Sequence, residues 1–274
     1  SSFNAFGSDG FSVGSQSNVN GNGNSIVAWN WKAGGSASSN SDGSITSTVS
    51  ASQTAGFSIV SYTGTGSNAT VGHSLSSVPS VIIIKDRDNG TGFNWRVYHH
   101  KNTSAPETDV LSLNLTNATN DNSTYWNDTA PTSSVFTIGT DASLNYSGDD
   151  YIAYCFAEKK GYSKFGSYTG GNSPFVYTGF KPAWIMIKRT NDSANWCMYD
   201  NKRSPFNVSD DALVADDSIA EYANISGMAM DYTSQGFKIR GDNSFFNTSG
   251  STYIYMAFAE SPFVTSTGIP TTAR

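Results

Sequence analysis

The sequence predicts an all-β protein made of two tandem antiparallel β-sandwich units of jelly-roll or lectin-like type, and three observations predict it. The first is internal repetition, which constrains a fold more strongly than local propensity does. Pro79-Ser80-Val81-Ile82-Ile83-Ile84-Lys85 returns as Pro182-Ala183-Trp184-Ile185-Met186-Ile187-Lys188. Asn94-Trp95-Arg96-Val97-Tyr98 returns as Asn195-Trp196-Cys197-Met198-Tyr199, and the strand from Tyr151 to Glu158 returns from Tyr253 to Glu260. These matches put the repeat at about 102 residues, the length of one sandwich domain. The second is composition. Ser, Thr, Asn and Gly supply 120 of 274 residues and charged residues only 14%, while aromatic residues reach 13%, enough ring area to offset chain entropy without a helical charge pattern. The third is alternation with period two, bounded by Gly, Asn and Asp turns at short spacing.

Each element follows in order. Residues 1–55 read as the terminal strands of a preceding unit followed by a Gly/Ser/Thr-rich segment. Gly10-Phe11-Ser12-Val13 resembles Gly236-Phe237-Lys238-Ile239, and Ser25 to Lys32 resembles the Tyr253 to Glu260 strand. Residues 33–55 are then a linker or an extended strand. The first sandwich repeat covers 56–160 and opens with the alternating strand Phe57 to Tyr62. The second covers 161–274 with the C-terminal tail, and opens with the matching strand Ser163 to Tyr168. The one helical candidate is Asp210 to Tyr222, where Asp210 and Asp211 precede Ala212, Leu213, Val214 and Ala215. The chain begins at Ser1 without Met, a basic segment or an apolar leader, which reads as a processed form or, the favoured reading, as the ordered part of something longer.

Charge and motif patterns narrow the chemistry. A net charge of −6 without a Lys/Arg cluster argues against a surface that tracks phosphates, so nucleic acid is not an expected partner. No run approaches 18 apolar residues. Cys155 and Cys197 belong to no C-x-x-C pair; Cys155 reads as a core thiol, and Cys197, standing where the first unit has Arg96, as the more accessible of the two. His73, His99 and His100 lack metal-ligand spacing and read as turn or surface histidines, His73 in a hairpin and His99 and His100 after a strand, partly exposed and titrating near 6.5. Asp86 to Gly90 begins like an EF-hand loop but lacks the distal Glu. Asp210, Asp211, Asp216, Asp217 and Glu221 place five carboxylates within twelve residues, either a cation and ligand site or a solvated loop. No cofactor is expected, a structural calcium ion being the alternative. Glu158 and Glu260 occupy equivalent repeat positions, which suits two copies of one strand end better than a glycosidase pair. No nucleophile elbow or phosphate loop occurs, so the chain does not read as an enzyme. Trp95 and Trp196 recur and read as core anchors. Tyr125 and Trp126 stand in a polar loop and are the aromatic pair expected to be exposed for stacking on a sugar. Sequons, Asn102 and Asn127 among them, are frequent in so Asn-rich a chain.

Longer strings carry a resemblance. Val27-Ala28-Trp29-Asn30-Trp31-Lys32-Ala33-Gly34-Gly35, Thr54 to Val60, Trp95-Arg96-Val97-Tyr98-His99, Tyr151 to Tyr168, and the ending Gly268-Ile269-Pro270-Thr271-Thr272-Ala273-Arg274 resemble a domain family of uncharacterised function in marine tailed-phage proteins. The resemblance covers nearly the whole chain. It implies a non-enzymatic virion component, a tail fibre or spike region on the outer surface of the particle, often behind a concanavalin A-like lectin domain. It also implies Arg274 as a natural C-terminus and a homo-oligomer, a trimer by analogy with fibres. The expected partners are other virion proteins and a host cell-surface glycan or outer-membrane receptor. The alternatives are a capsid-surface or tail-scaffold protein that binds only virion proteins, and a secreted carbohydrate-binding module or depolymerase. A low-charge surface suits seawater, where a short Debye length leaves recognition to hydrogen bonds and ring contacts.

Overall fold

Alternating apolar residues that cannot be buried by one strand alone must pair, and the pairing organises this chain into several antiparallel sheets with little helix. The computed structural model describes residues 2–7, 10–90 and 92–260, so the Gly268 to Arg274 string and the C-terminus expected there lie outside the described residues. The chain divides into two units, Ser1–Lys32 and Ala33–Arg274.

In the first unit β1 (Phe3–Phe6) pairs with β2 (Phe11–Val13), and a single turn of helix, α1 (Ser17–Asn20), follows. Phe3 meets Phe6 and Phe11 at ring centroids of 5.9 and 5.3 Å. The stretch from Ser25 to Lys32, expected as a strand, is not one.

The second unit begins with β3 (Ser38–Asn40), β4 (Ser47–Ser52), β5 (Phe57–Thr63), β6 (Ala69–Gly72), β7 (Val81–Asp86) and β8 (Arg96–His99). It continues with β9 (Asp109–Ser112), β10 (Asn120–Asp121), β11 (Val135–Ile138) and β12 (Asp150–Phe156). Eight of these form one antiparallel sheet in the order β10-β9-β8-β7-β12-β5-β4-β3, and β6 pairs with β11 apart from it. Within residues 38–52, β3 is therefore the edge strand and β4 lies between it and β5, with Thr48 opposite Ser61 and Ser52 opposite Phe57. Tyr151, Ala153 and Cys155 of β12 and Ile82 and Ile84 of β7 turn into a core shared with Val71, Phe136 and Ile138 of β6 and β11. Two one-turn helices close it. They are α2 (Ser123–Trp126), capped by Asn122, and α3 (Ala142–Asn145), capped by Asp141. Tyr62 and Tyr151 stack at 5.2 Å, their hydroxyls donating to Leu144 O and Ala142 O.

The remaining strands are β13 (Ser163–Thr169), β14 (Phe175–Tyr177), β15 (Trp184–Arg189), β16 (Cys197–Asp200), β17 (Leu213–Val214), β18 (Met230–Thr233), β19 (Gly236–Ile239) and β20 (Thr252–Phe258). A five-stranded sheet has the order β13-β20-β15-β16-β17, and a three-stranded sheet the order β14-β19-β18. A second core fills the space between them, with Ile185, Ile187, Tyr199, Phe237, Tyr253 and Tyr255 in it. The helix expected over Asp210 to Tyr222 does not form. Its Leu213–Val214 pairs with β16, and Ala212 exchanges backbone hydrogen bonds with Tyr222, because these apolar positions find a ladder that outweighs a weak propensity.

The two large sheets meet across their outer faces. Phe156, opposite Val81 on β7, touches Phe165 of β13 and Phe258 of β20 at 6.2 and 5.8 Å, and Trp184 joins Phe258 at 5.8 Å. Burial on both faces explains the unbroken apolar run Val81-Ile82-Ile83-Ile84. Hydrogen bonds lock the seam. Trp196 Nε1 donates to Ser112 O at 2.9 Å, Lys188 Nζ to Thr116 O at 2.8 Å, and Thr119 N to Thr190 O at 2.9 Å.

Candidate functional site

Trp126 and Tyr125, the aromatic pair expected to be exposed, are buried. Trp126 is 2% exposed. It sits on α2, meets Tyr98 edge-on at 5.8 Å, and donates its indole N–H to Asp109 O at 2.9 Å. Tyr125 beside it is also buried, with the Arg96 guanidinium 4.7 Å above its ring. The polar neighbours that suggested an exposed loop are the helix caps: Asn122 accepts from Thr124 N, and Asn127 takes the left-handed conformation at the C-terminal end. The short helix turns its two rings inward.

The acidic stretch is dispersed in the same way. Asp211 accepts from Ser204 Oγ at 2.6 Å and Asn224 N at 2.9 Å. Asp216 accepts from Trp196 N at 2.7 Å and Asn195 Nδ2 at 2.9 Å, with burial raising its carboxyl above the usual range. Asp217 caps Ser218 N at 2.7 Å, and the Asp210 carbonyl accepts from Ile225 N at 3.2 Å. Glu221 pairs with Arg203, which also holds Asp200. Among the described residues no three His, Cys, Asp or Glu side chains gather as a metal site. Asp86 serves its own turn, accepting from Asp88 N and Asn89 N at 2.8 Å. Glu158 caps Phe165 N at 3.0 Å and pairs with Lys164, and Glu260 pairs with Lys202, so the two repeated carboxylates each act locally.

The histidines and Cys197 also depart from expectation. His73 and His99 are buried, each accepting at Nδ1 from a backbone N–H two residues on, Leu75 and Lys101. Each Nε2 then carries the proton and donates to a carbonyl, Thr132 O and Tyr255 O, both at 3.2 Å. Burial lowers both imidazoles, His99 to about 3. Half-buried His100 reaches Phe165 O at 2.9 Å. Cys197 is as buried as Cys155. Trp196 is a buried anchor of the seam, whereas Trp95 is half-buried and stacks on Tyr154 at 6.4 Å.

What the structure offers instead is an open polar cleft of about 620 Å³ where the two sheets adjoin. One wall comes from the turn after β8 and from the β9–β10 pair, with Lys101, Asn102, Asp109 and Asp121. The other carries Ser167 of β13 and Thr190, which follows β15. Asp109 and Asp121 are register partners, which sets their Cβ atoms roughly 5 Å apart on one face. Asp109 is buried and takes a hydrogen bond from Thr103 Oγ1, whereas Asp121 and Lys101 are exposed. Burial raises the Asp109 carboxyl above the usual carboxylate range, against the opposing Thr103 hydrogen bond, and the Asp121 charge adds to the rise. Asn102 is 2% exposed; its Oδ1 accepts from Thr119 Oγ1 at 2.7 Å, while Nδ2 finds no hydrogen-bond partner among the described residues. An unmet buried donor costs about 1–3 kcal/mol, and this nitrogen is closed to solvent as the side chain stands. Sequence reasoning missed this cleft because its carboxylates lie twelve positions apart on two strands too short to show a period. Its one local signal, the Asn102-Thr103-Ser104 sequon, pointed elsewhere.

A family model described as a domain of unknown function (DUF7483) matches residues 1–262. No curated protein and no solved structure matches the chain.

Proposed function

From the premise that the chain belongs to the DUF7483 family, we propose that it is a non-enzymatic structural protein of a tailed-phage particle, a fibre or spike region displayed outward to contact the host surface. Its partners in this reading are other virion proteins and a cell-surface glycan or outer-membrane receptor, and its assembly state is a homotrimer. The polar cleft is the observation that carries the reading. Its hydrogen-bonding groups are held by rigid strands and a hydrogen-bonded turn, which suits recognition by contact at high ionic strength.

The proposal extends to architecture: two tandem sandwich units of one design. The order β5-β12-β7-β8-β9 recurs as β13-β20-β15-β16-β17. The stacked Tyr62–Tyr151 pair recurs as Tyr168–Tyr253 at 5.1 Å, with hydroxyls donating to Phe246 O and Ser244 O. Asn145 Nδ2 to Gly139 O recurs as Asn247 Nδ2 to Gly241 O. These correspondences support a duplicated unit whose copies pack back to back.

A second reading has its own observation. Strand β14 is an edge of its sheet and exposes Phe175 and Tyr177, the kind of strand-edge contact a tail-scaffold protein would use. Infection inhibition separates the two. Purified chain, verified as folded and oligomeric, is expected to block infection of marine host bacteria by a phage that carries it. Failure to block at saturating concentration moves the assignment to the scaffold.

A further inference from the structure

We propose that the cleft between the two sheets binds a saccharide directly, its hydroxyls bridging the Asp109–Asp121 carboxylates and the Asn102 amide while Ser167 and Thr190 bound the ligand on the far side. The inference rests on the host-contact reading for its biological setting, but its chemistry stands on the cleft alone. Ionised carboxylates only accept hydrogen bonds, and an amide Nδ2 only donates. A ligand that satisfies both within one cleft must offer donors and acceptors a few ångströms apart, which is what vicinal hydroxyls do. Asp121 stands opposite Asp109 in register, so the two carboxylates lie on one face of the strand pair. Asn102 accepts at Oδ1 from Thr119, and its Nδ2, closed to solvent, has an unmet bond that a ligand meets when the amide turns toward the cleft.

Competing ligand classes fit less well. A phosphate or sulfate would meet two carboxylates against the single lysine Lys101, and the lining has no aromatic ring for an apolar ligand to stack on. A volume of about 620 Å³ lies within the range of small-molecule sites, roughly 300–1,000 Å³, and extends past one sugar ring toward a short oligosaccharide. Recognition here comes from hydrogen bonds rather than from the ring stacking expected at Trp126. The contacts are short-range, so salt changes their strength little.

The test uses the whole chain on an array of neutral and uronic-acid oligosaccharides, followed by titration calorimetry with the strongest ligand. At least one oligosaccharide is expected to bind. Asp121→Asn and Ser167→Trp, both at exposed positions, are expected to weaken binding tenfold or more with the urea midpoint unchanged. Asn102→Asp, which replaces the donor with an acceptor, is expected to abolish binding; should it fail to fold, the two exposed variants decide. Binding that survives both exposed variants, binding that needs calcium and vanishes in EDTA, or no binding across the array overturns the proposal. Applying the same variants to whole host cells separates the two claims. Cell binding that persists in Asp121→Asn refutes the cleft and leaves host contact standing, whereas oligosaccharide binding without cell binding refutes host contact and leaves the cleft.

Discussion

Lowering pH should unlock the seam between the sheets at His99. The imidazole is 1% exposed, with Nε2–H donating to Tyr255 O and Nδ1 accepting from Lys101 N. A second proton would have to go on Nδ1, facing an N–H that cannot accept it. Burial, with the neighbouring His100 adding to it, drives the pKa from the usual 6.5 to about 3, while the backbone carbonyl of Tyr255 opposes. A depressed imidazole contributes stability that is complete above the unfolded value near 6.5 and is lost as pH falls toward the folded value, because the unfolded chain binds the proton first. Each pH unit in that window costs about 1.4 kcal/mol, so at pH 4.5 the loss from His99 is on the order of 3 kcal/mol. The buried His73, lowered by desolvation, adds in the same direction. Urea unfolding followed by tryptophan fluorescence at pH 7.5 and 4.5 measures it. His99→Gln, which keeps a donor near Nε2 and cannot titrate, is expected to be less stable at pH 7.5 and to lose about 3 kcal/mol less than the wild type between the two pH values. Equal pH dependence of the two proteins would refute the reasoning.

Other outcomes follow from the same packing. A Cβ on Gly64 would lie 2.2 Å from Tyr146 O, and one on Gly170 2.2 Å from Thr248 O, so Gly64→Ala and Gly170→Ala should each destabilise by about 1–3 kcal/mol in urea melts. Trp126→Ala should cost about 3–5 kcal/mol in urea melts, since the indole fills a core rather than a binding surface. Burial raises the Cys155 thiol to about 12 and Cys197 higher, so neither should react with a disulfide reagent at pH 8 until the chain unfolds. Reaction of one equivalent in the native state would contradict the burial of both thiols.

The strands were legible where both ladder partners and period were strong. Phe57–Thr63, Val81–Asp86 and Tyr151 to Phe156 could be read directly, because alternation or an unbroken β-branched run has few other uses. Strands β3 and β4 were ambiguous in a Ser/Gly-rich stretch whose apolar anchors are Ile45, Val49 and Ala51. The back-to-back packing was hidden, since Phe156, Phe165 and Phe258 look like any other strand aromatics until their partners across the seam are known. The same limit misplaced Trp126. Polar flanking residues signal a loop, but Asn122 and Asn127 are polar because they cap a one-turn helix that buries the ring between them. The cleft was beyond reach for a further reason: Asn102, Asp121, Ser167 and Thr190 become neighbours only after both sheets have formed and met.

Saturable binding to host cells tests the account most directly. Fluorescently labelled chain, with fold and oligomeric state verified, is titrated onto marine bacterial cells permissive for a phage that carries it, beside the Asp121→Asn and Ser167→Trp variants. The account predicts saturable binding by the wild type and at least tenfold weaker binding by both variants. A folded, oligomeric chain that fails to bind a permissive host would contradict host contact and move the assignment to a capsid-surface or tail-scaffold protein.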